Sequence, residues 1–142
     1  MEKSSKFIIW PMDVFSITLL YDAVCKALLS SGITVIRLGK EITDIFGGNI
    51  VCWQVWNKKD GENEYFLCGL LLIKFSERSA YLHAAHWFID IDDCVKDIYE
   101  NLFSVLKGLG FKQFTMPVLG NDIEWFKEKM AMDTMAIAYK EL

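Results

Sequence analysis

The sequence has no long apolar run and no basic stretch. Its longest apolar run, Phe66–Ile73, spans eight residues, whereas a membrane-spanning helix needs about 20. The 15 Lys and Arg residues are outnumbered by 19 Asp and Glu, which gives a formal net charge of -4. A mildly acidic surface does not attract nucleic acid or an anionic membrane, and we expect neither as a partner. The apolar run before Pro11 is too short for a secretory signal peptide.

Catalytic motifs are also scarce. The sequence contains no G-x-S-x-G, no phosphate-binding loop and no C-x-x-C pair, so the commonest signatures of hydrolases, nucleotide-binding proteins and thiol redox enzymes are missing. Its four cysteines are Cys25, Cys52, Cys68 and Cys94. Three of them lie inside apolar runs, which is typical of reduced core thiols in a cytosolic protein. We therefore expect a cytoplasmic location.

Apolar residues are abundant, at 53% of the 142 residues, and aromatic residues make up 14%. This length predicts a single domain over residues 1–142 with a sizeable core. The aromatic surplus also predicts apolar side chains at the surface, which favours a protein partner or self-association. Trp56 and Trp125 lie at the edges of predicted elements and are candidate contacts, because tryptophan is enriched in binding hot spots.

Hydrophobic periodicity predicts an α/β (α+β) chain. The expected elements in chain order are a strand at 7–10, a helix at 13–29 capped by Asp13, a hairpin of strands at 49–56 and 65–74, a strand at 80–88, a helix at 95–109, a strand at 111–118, a helix at 121–130 and a strand at 134–139. Residues 33–48 fit either a strand or a helix.

Two features of this pattern predict how the strands pair. Residues 67–73 are apolar on both faces, so we expect the strand at 65–74 to lie centrally, between the strands at 49–56 and 80–88. The helix at 95–109 is long enough for a crossover connection, which makes the strands before and after it parallel. Asp92 or Asp93 is the expected N-cap of this helix.

This order of elements, with three short segments, resembles the GNAT superfamily of N-acetyltransferases. Phe126–Met132 reads FKEKMAM and is similar to the family's F-Y-E-K-M-G-F. Leu109–Phe111 reads LGF, as in the run between the family's main helix and its fifth strand, and Asn121 lies near an asparagine that often precedes the first segment. The resemblance implies a mixed, mostly antiparallel sheet flanked by helices, with a cofactor cleft where the fourth and fifth strands splay apart.

The cofactor loop departs from the family's pattern. In the family this loop reads roughly R/Q-x-x-G-x-G/A, and its glycines let backbone N–H groups approach a pyrophosphate at a helix N-terminus. Residues 89–94 read IDIDDC here, with no glycine and no arginine. By position the resemblance assigns Asp92, Asp93, Cys94 and Asn121 to cofactor binding. Carboxylates at this helix start would repel a pyrophosphate.

The catalytic positions differ as well. Lys127 stands where the family usually has a proton-donating tyrosine. His83 and His86 lie on the strand where many members carry a glutamate base, so these three residues are the catalytic candidates if the chain is an enzyme. On a regular strand, residues three apart face opposite sides, so we expect His83 and His86 to bind no metal together. A metal site that also used Asp90 and Asp92 would need the segment to be helical.

These observations leave more than one function open. We expect a non-catalytic or degenerate acetyltransferase-fold protein that acts through protein contacts and needs no cofactor. Small, acidic, motif-poor versions of the fold look like those encoded by bacteriophages, which implies the host cytoplasm or a virion as the location. The alternative is an acyl-CoA-dependent N-acetyltransferase with an atypical cofactor loop, which would bind acetyl-CoA. A third hypothesis is a hydrolase or metal-dependent enzyme that uses one of the two histidines.

Overall fold

The structure is a computed structural model that describes residues 5–59, 63–117 and 122–130. Its elements in chain order are β1 (Ser5–Pro11), α1 (Val14–Leu19), α2 (Tyr21–Ser30), α3 (Val35–Phe46), β2 (Ile50–Lys59), β3 (Phe66–Phe75), β4 (Ser79–Trp87), α4 (Val95–Gly108), β5 (Gln113–Thr115) and α5 (Ile123–Lys129). Asn121 and the strand predicted at 134–139 lie outside the described residues.

The observed helices match those predicted from the sequence, except that one predicted helix is divided into two. The helix predicted at 13–29 is two helices, α1 and α2, because the backbone leaves helical geometry at Leu20, where φ is -105° and ψ is 23°. Asp13 caps α1 as predicted, and its Oδ1 accepts the N–H of Ser16 at 2.7 Å. Residues 33–48, which fitted two alternatives, contain helix α3. No helix in the described ranges is long and apolar enough to cross a membrane.

The described strands form one five-stranded sheet in the order β1-β2-β3-β4-β5. The first three pairings are antiparallel and β4 pairs with β5 in parallel. The predicted position of β3, between β2 and β4, is confirmed, and so is the parallel direction of β5. Strand β5 is shorter than predicted, with only Gln113–Thr115 in the sheet. The mixed, mostly antiparallel sheet flanked by helices is therefore the observed fold class.

Each face of the sheet is covered by helices. On one side, which we call the α1–α3 face, β2 and β3 side chains such as Cys52 and Leu70 pack with Val24 and Leu28 of α2. On the other side, the α4 face, the alternate residues of the same strands pack against α4, for example through Leu102. Because successive strand residues point to opposite sides, β3 is apolar at almost every position.

Candidate functional site

The edge of β4 opens partway along the strand. Pairing between β4 and β5 begins at Ser79↔Gln113 and ends at Tyr81↔Thr115. Beyond that point, residues 82–87 of β4 have a strand partner only on the β3 side, as far as the described residues extend. Within the described residues, the backbone groups of this segment that point away from β3 are therefore not bonded to β5. A cleft at this place is what the sequence resemblance implies.

A β-bulge in β4 changes which way its histidines point. The register runs Leu72↔Ala84 and then Ile73↔Leu82, so His83 is an extra residue without a partner in β3. A bulge inserts one residue and shifts the alternation of side chains that follow it. The expectation that His83 and His86 face opposite sides is therefore wrong. Both lie on the α1–α3 face, where His83 contacts Glu41 of α3 and His86 lines a pocket with residues of α1 and α2.

His83 is held by a buried carboxylate from α3. Its Nε2 lies 2.7 Å from Oε2 of Glu41, whose side chain is 1% exposed, whereas that of His83 is 10% exposed. Nη2 of Arg37, one helical turn earlier, lies 3.6 Å from the other oxygen of Glu41. A carboxylate buried to this degree needs such donors, because an ionised group without a hydrogen-bond partner is costly to bury.

Sequence reasoning missed Glu41 because the segment 33–48 had no assigned structure. If this segment is treated as a helix, the spacing of its apolar residues indicates which side is buried. Leu38, Ile42 and Ile45 share one side of α3 and pack on the α1–α3 face. Glu41 lies three residues after the first of these and four before the last, so it falls on the same apolar side. An acidic residue in that position indicates a buried polar partner across the interface.

His86 lies beside a surface pocket between β4 and the first two helices. The pocket has a volume of about 460 Å³ and is lined by Leu19, Asp22, Lys26, His86 and Phe88, among others. The rings of His86 and Phe88 meet edge to face, with centroids 5.0 Å apart. The pocket thus combines charges of both signs, an imidazole and apolar surface.

The start of α4 is not capped by a side chain. Cys94 is the N-cap residue and makes no side-chain hydrogen bond to the helix. The prediction that Asp92 or Asp93 caps α4 is therefore wrong. The physical reason is a local turn before the helix, in which the N–H of Asp92 donates to Oδ1 of Asp90 at 3.0 Å and the N–H of Cys94 donates to the carbonyl of Ile91. This turn makes Cys94, and not an aspartate, the residue that enters the helix.

The same region carries a negative potential. Asp90, Asp92 and Asp93 are all exposed around the first turn of α4. The pKa of the Cys94 thiol is raised, first by partial burial and then by the surrounding carboxylates, of which Asp97 contributes most. The carboxylate part of this effect means that a further negative charge at this place is disfavoured. The potential there opposes a phosphate.

Lys127 is not brought together with the histidines. It is exposed on α5, and within the described ranges it forms no hydrogen bond or ion pair with another residue. Helix α5 is placed by its neighbour Phe126, whose ring meets that of Tyr99 in α4 edge to face at 6.1 Å.

In the described part of the chain, no three His, Cys, Asp or Glu side chains come together as metal ligands. All four cysteines are free thiols.

No protein-family model and no curated protein matches this sequence. Solved structures do match its fold. A GNAT family acetyltransferase from Staphylococcus aureus superposes with a TM-score of 0.61 at 14% identity, covering 96% of this chain and 98% of its own. Glucosamine-6-phosphate N-acetyltransferase from Arabidopsis thaliana gives 0.58 at 12% identity, with 96% and 98% covered. An aminoglycoside N-acetyltransferase in complex with CoA gives 0.60 at 9% identity, with 100% and 98% covered. At such identities the likeness concerns the fold.

Proposed function

We propose that this chain, which has the fold of the GNAT acetyltransferases, acts through contacts with another protein and does not transfer an acyl group from CoA. The observation that supports this proposal is the start of α4. In a cofactor-binding version of the fold this helix start would meet a pyrophosphate. Here it carries exposed carboxylates at Asp90, Asp92 and Asp93 and no glycine.

The energetic argument combines charge with backbone geometry. Two like charges about 4 Å apart near a protein surface repel by on the order of a few kcal/mol, and three carboxylates surround this helix start. A residue with a Cβ also resists the positive φ angles that let consecutive N–H groups point at one anion. Together these effects oppose pyrophosphate binding even though the edge of β4 is open.

An apolar surface beside the pocket supports a role in protein contacts. Phe15 and Leu19, four residues apart on α1, are 71% and 68% exposed, so they form one apolar stripe on the helix. Leu19 shares the pocket with Phe88, which is 43% exposed. Large apolar side chains grouped in this way are typical of interaction surfaces. Trp56 and Trp125, the contacts expected from sequence, are half-buried.

A ligand titration tests the absence of CoA binding. A ligand that binds only the folded protein raises its Tm, so we expect millimolar acetyl-CoA to leave the Tm unchanged. The matched variant is Asp90→Asn/Asp92→Asn/Asp93→Asn, which removes the carboxylates and keeps the side-chain volumes. If these charges are the main barrier, acetyl-CoA will raise the Tm of this variant but not that of the wild type. A shift in the wild type would overturn the proposal.

A site-specific crosslinking experiment tests the contact surface. A photoreactive residue in place of Leu19 should give a discrete adduct with one protein in extract from the source cells. Excess unlabelled wild type should compete for that adduct, and the Phe15→Glu variant should not. The same probe at exposed Lys107, on α4, is the control and should give no such adduct. An adduct of twice the chain mass would identify self-association instead, and adducts from both positions would contradict a specific surface.

Acyl transfer is the second candidate, and the open edge of β4 with His86 at a pocket favours it. In that case His86 and His83 are candidate bases and Lys127 a candidate acid, and acetyl-CoA is the cofactor. The test is release of CoA thiol from acetyl-CoA in the presence of amine acceptors. Turnover that His86→Ala abolishes would replace the first proposal with this one.

We infer a cytoplasmic location, or a virion if the chain is phage-encoded, from the free thiols and the sequence resemblance.

A further inference from the structure

We propose that Glu41 and His83 form a proton-acceptor site at the bulge of β4, in which the buried carboxylate fixes the imidazole proton on Nε2 and leaves Nδ1 free to accept a hydrogen bond. Glu41 is the positioning residue and His83 is the acceptor. The ligand that this acceptor would bind is a small group with an N–H or O–H donor. This inference does not depend on whether the chain binds CoA or a protein partner.

The atoms around the carboxylate of Glu41 determine which side chain donates in its contact with His83. Nε2 of His83 and Oε2 of Glu41 are 2.7 Å apart. The other carboxylate oxygen faces the guanidinium of Arg37 at 3.6 Å. Both oxygens therefore face nitrogen atoms that can donate, which suits an ionised carboxylate, since that group only accepts hydrogen bonds. The shared hydrogen then belongs to Nε2.

The remaining ring nitrogen of His83 is Nδ1. In a neutral imidazole, a proton on one nitrogen leaves the other as an acceptor. Nδ1 of His83 has no hydrogen-bond partner in residues 5–59, 63–117 and 122–130. The side chain is 10% exposed, so a small group or a water molecule can approach it. A nitrogen oriented by a buried carboxylate on the far side of its ring is arranged to accept.

The bulge in β4 determines the face of the sheet to which His83 points. Without the extra residue, regular alternation would put positions 83 and 86 on opposite faces of the sheet. The bulge directs His83 toward α3 and keeps His86 on the same α1–α3 face, beside the pocket. Bulges often re-aim a side chain next to a functional site. The strand geometry and the buried carboxylate thus serve the same histidine.

A purely structural role would need only the donor of His83. If His83 only anchors α3 through its donor to Glu41, then glutamine, whose amide N–H₂ also donates, should replace it without other consequences. A proton acceptor, in contrast, needs the second ring nitrogen. Spectroscopy therefore tests whether that second nitrogen carries no proton, and the glutamine substitution tests the donor alone.

The decisive measurement is the tautomer of His83, read from the ring nitrogen chemical shifts of the tag-free, ¹⁵N-histidine-labelled protein at mildly alkaline pH. The chain has two histidines, so the His86→Gln variant assigns the His83 signals. We expect the Nε2–H form to exceed the Nδ1–H form about tenfold or more, because charge-assisted hydrogen bonds are strong. A dominant Nδ1–H form would mean that Glu41 donates, and a doubly protonated ring would mean an ion pair. Either result would overturn the proposal.

Two variants complete the experiment. Glu41→Gln keeps the volume but offers a weaker, neutral acceptor, so the excess of the Nε2–H form should fall several-fold toward the ratio seen for His86. His83→Gln should fold with a Tm near that of the wild type, which shows that the anchor survives without the acceptor. An unchanged tautomer ratio in Glu41→Gln would show that Glu41 does not position the ring. If Glu41→Gln does not fold, the spectrum of the wild type still shows which tautomer is present.

Discussion

At the scale of single residues, the close contact between Gly69 and Trp87 has a measurable consequence. A Cβ at position 69 would lie 2.3 Å from Cε3 of Trp87 and 2.7 Å from the carbonyl oxygen of His86. The indole can rotate away, but the carbonyl belongs to the β4 backbone, so Gly69→Ala must strain the β3–β4 pairing. We expect a loss of roughly 1–3 kcal/mol in the free energy of unfolding, measured by urea denaturation.

The control for this substitution is Gly108→Ala. A Cβ at position 108, the last residue of α4, would meet nothing within 4 Å. Alanine loses less conformational entropy than glycine on entering a helix, so we expect a stability equal to or slightly above that of the wild type. An equal effect of both substitutions would show that the loss of glycine flexibility, and not the contact with β4, decides the outcome.

Tyr99 gives a prediction for alkaline pH. Burial on the α4 face raises its pKa to about 12, from an ordinary value of 10.0. The unfolded chain therefore ionises first, and the stabilisation is complete below pH 10 and is lost as the pH rises toward 12. A shift of this size corresponds to about 2–3 kcal/mol. Tyr99→Phe should flatten the fall in unfolding free energy over this range, as measured by urea titrations at successive pH values.

A second buried group acts over the same range and provides the comparison. Burial raises the pKa of the Cys52 thiol to about 12 from 9.0, so its contribution is also lost at alkaline pH. Cys52→Ala should remove the part of the fall that begins near pH 9, and Tyr99→Phe the part that begins near pH 10. A Tyr99→Phe variant with the wild-type slope would show that the phenol is accessible to hydroxide in the folded state.

The residue scale is also where sequence reasoning reached least far. His83 was recognised as a chemical candidate, but its partner Glu41 was not, because 42 residues separate them and one lies in a segment of ambiguous structure. The bulge could not be predicted either. It depends on the register between β3 and β4, and alternating apolar residues do not reveal where one extra residue is inserted.

At the scale of elements, two helix starts with aspartates behave differently. Asp13 accepts the N–H of Ser16, and this bond holds the pKa of its carboxyl below the usual 3.8. Asp92 and Asp93 make no such bond to α4. We therefore expect Asp13→Ala to lower the Tm near neutral pH, whereas Asp92→Ala/Asp93→Ala should leave it unchanged or raise it through reduced repulsion.

The pH dependence of the Asp13 effect provides its own check. Because the folded-state pKa is depressed, the stabilisation is present above pH 3.8 and is lost as the pH falls through the folded-state value. The difference in Tm between wild type and Asp13→Ala should then vanish in acid. A loss of stability in Asp92→Ala/Asp93→Ala at neutral pH would show that one of these residues caps α4 in solution.

Element types were predictable where a long periodic pattern exists. The apolar spacing in α4 and the two-sided apolarity of β3 reflect burial, which selects residue types directly. The division between α1 and α2 has no such signal, because Leu20 continues the apolar spacing of both helices. The length of β5 was overestimated because Phe111 and Met116 pack on the α4 face without joining the sheet, in which only Gln113–Thr115 pairs with β4.

At the scale of the whole molecule, the fold matches that of solved acetyltransferases, whereas the charge at the start of α4 is set by this chain's own residues. The parallel pairing of β4 and β5 stops after three residues, and the bulge directs polar side chains toward one face. These are backbone features that depend on the packing of both sheet faces. The helix start beside them depends on a few surface residues, which can change without altering the core. Sequence resemblance therefore predicted the architecture, while the chemistry has to be argued from individual residues.

Hydrogen exchange measured residue by residue tests this view of the molecule. In β3 both edges are hydrogen-bonded, so its amides should exchange slowest. In β4 the amides that point away from β3 after Tyr81 should exchange much faster than those bonded to β3, because β5 pairs only with residues 79–81. Adding millimolar acetyl-CoA should leave these rates unchanged, since the carboxylates at the start of α4 oppose its pyrophosphate. Uniformly slow exchange over residues 82–87 would mean that the edge is covered. A dependence of these exchange rates on protein concentration would then show that a second copy of the chain covers it. Slowing by acetyl-CoA alone would place the cofactor at this edge and favour acyl transfer.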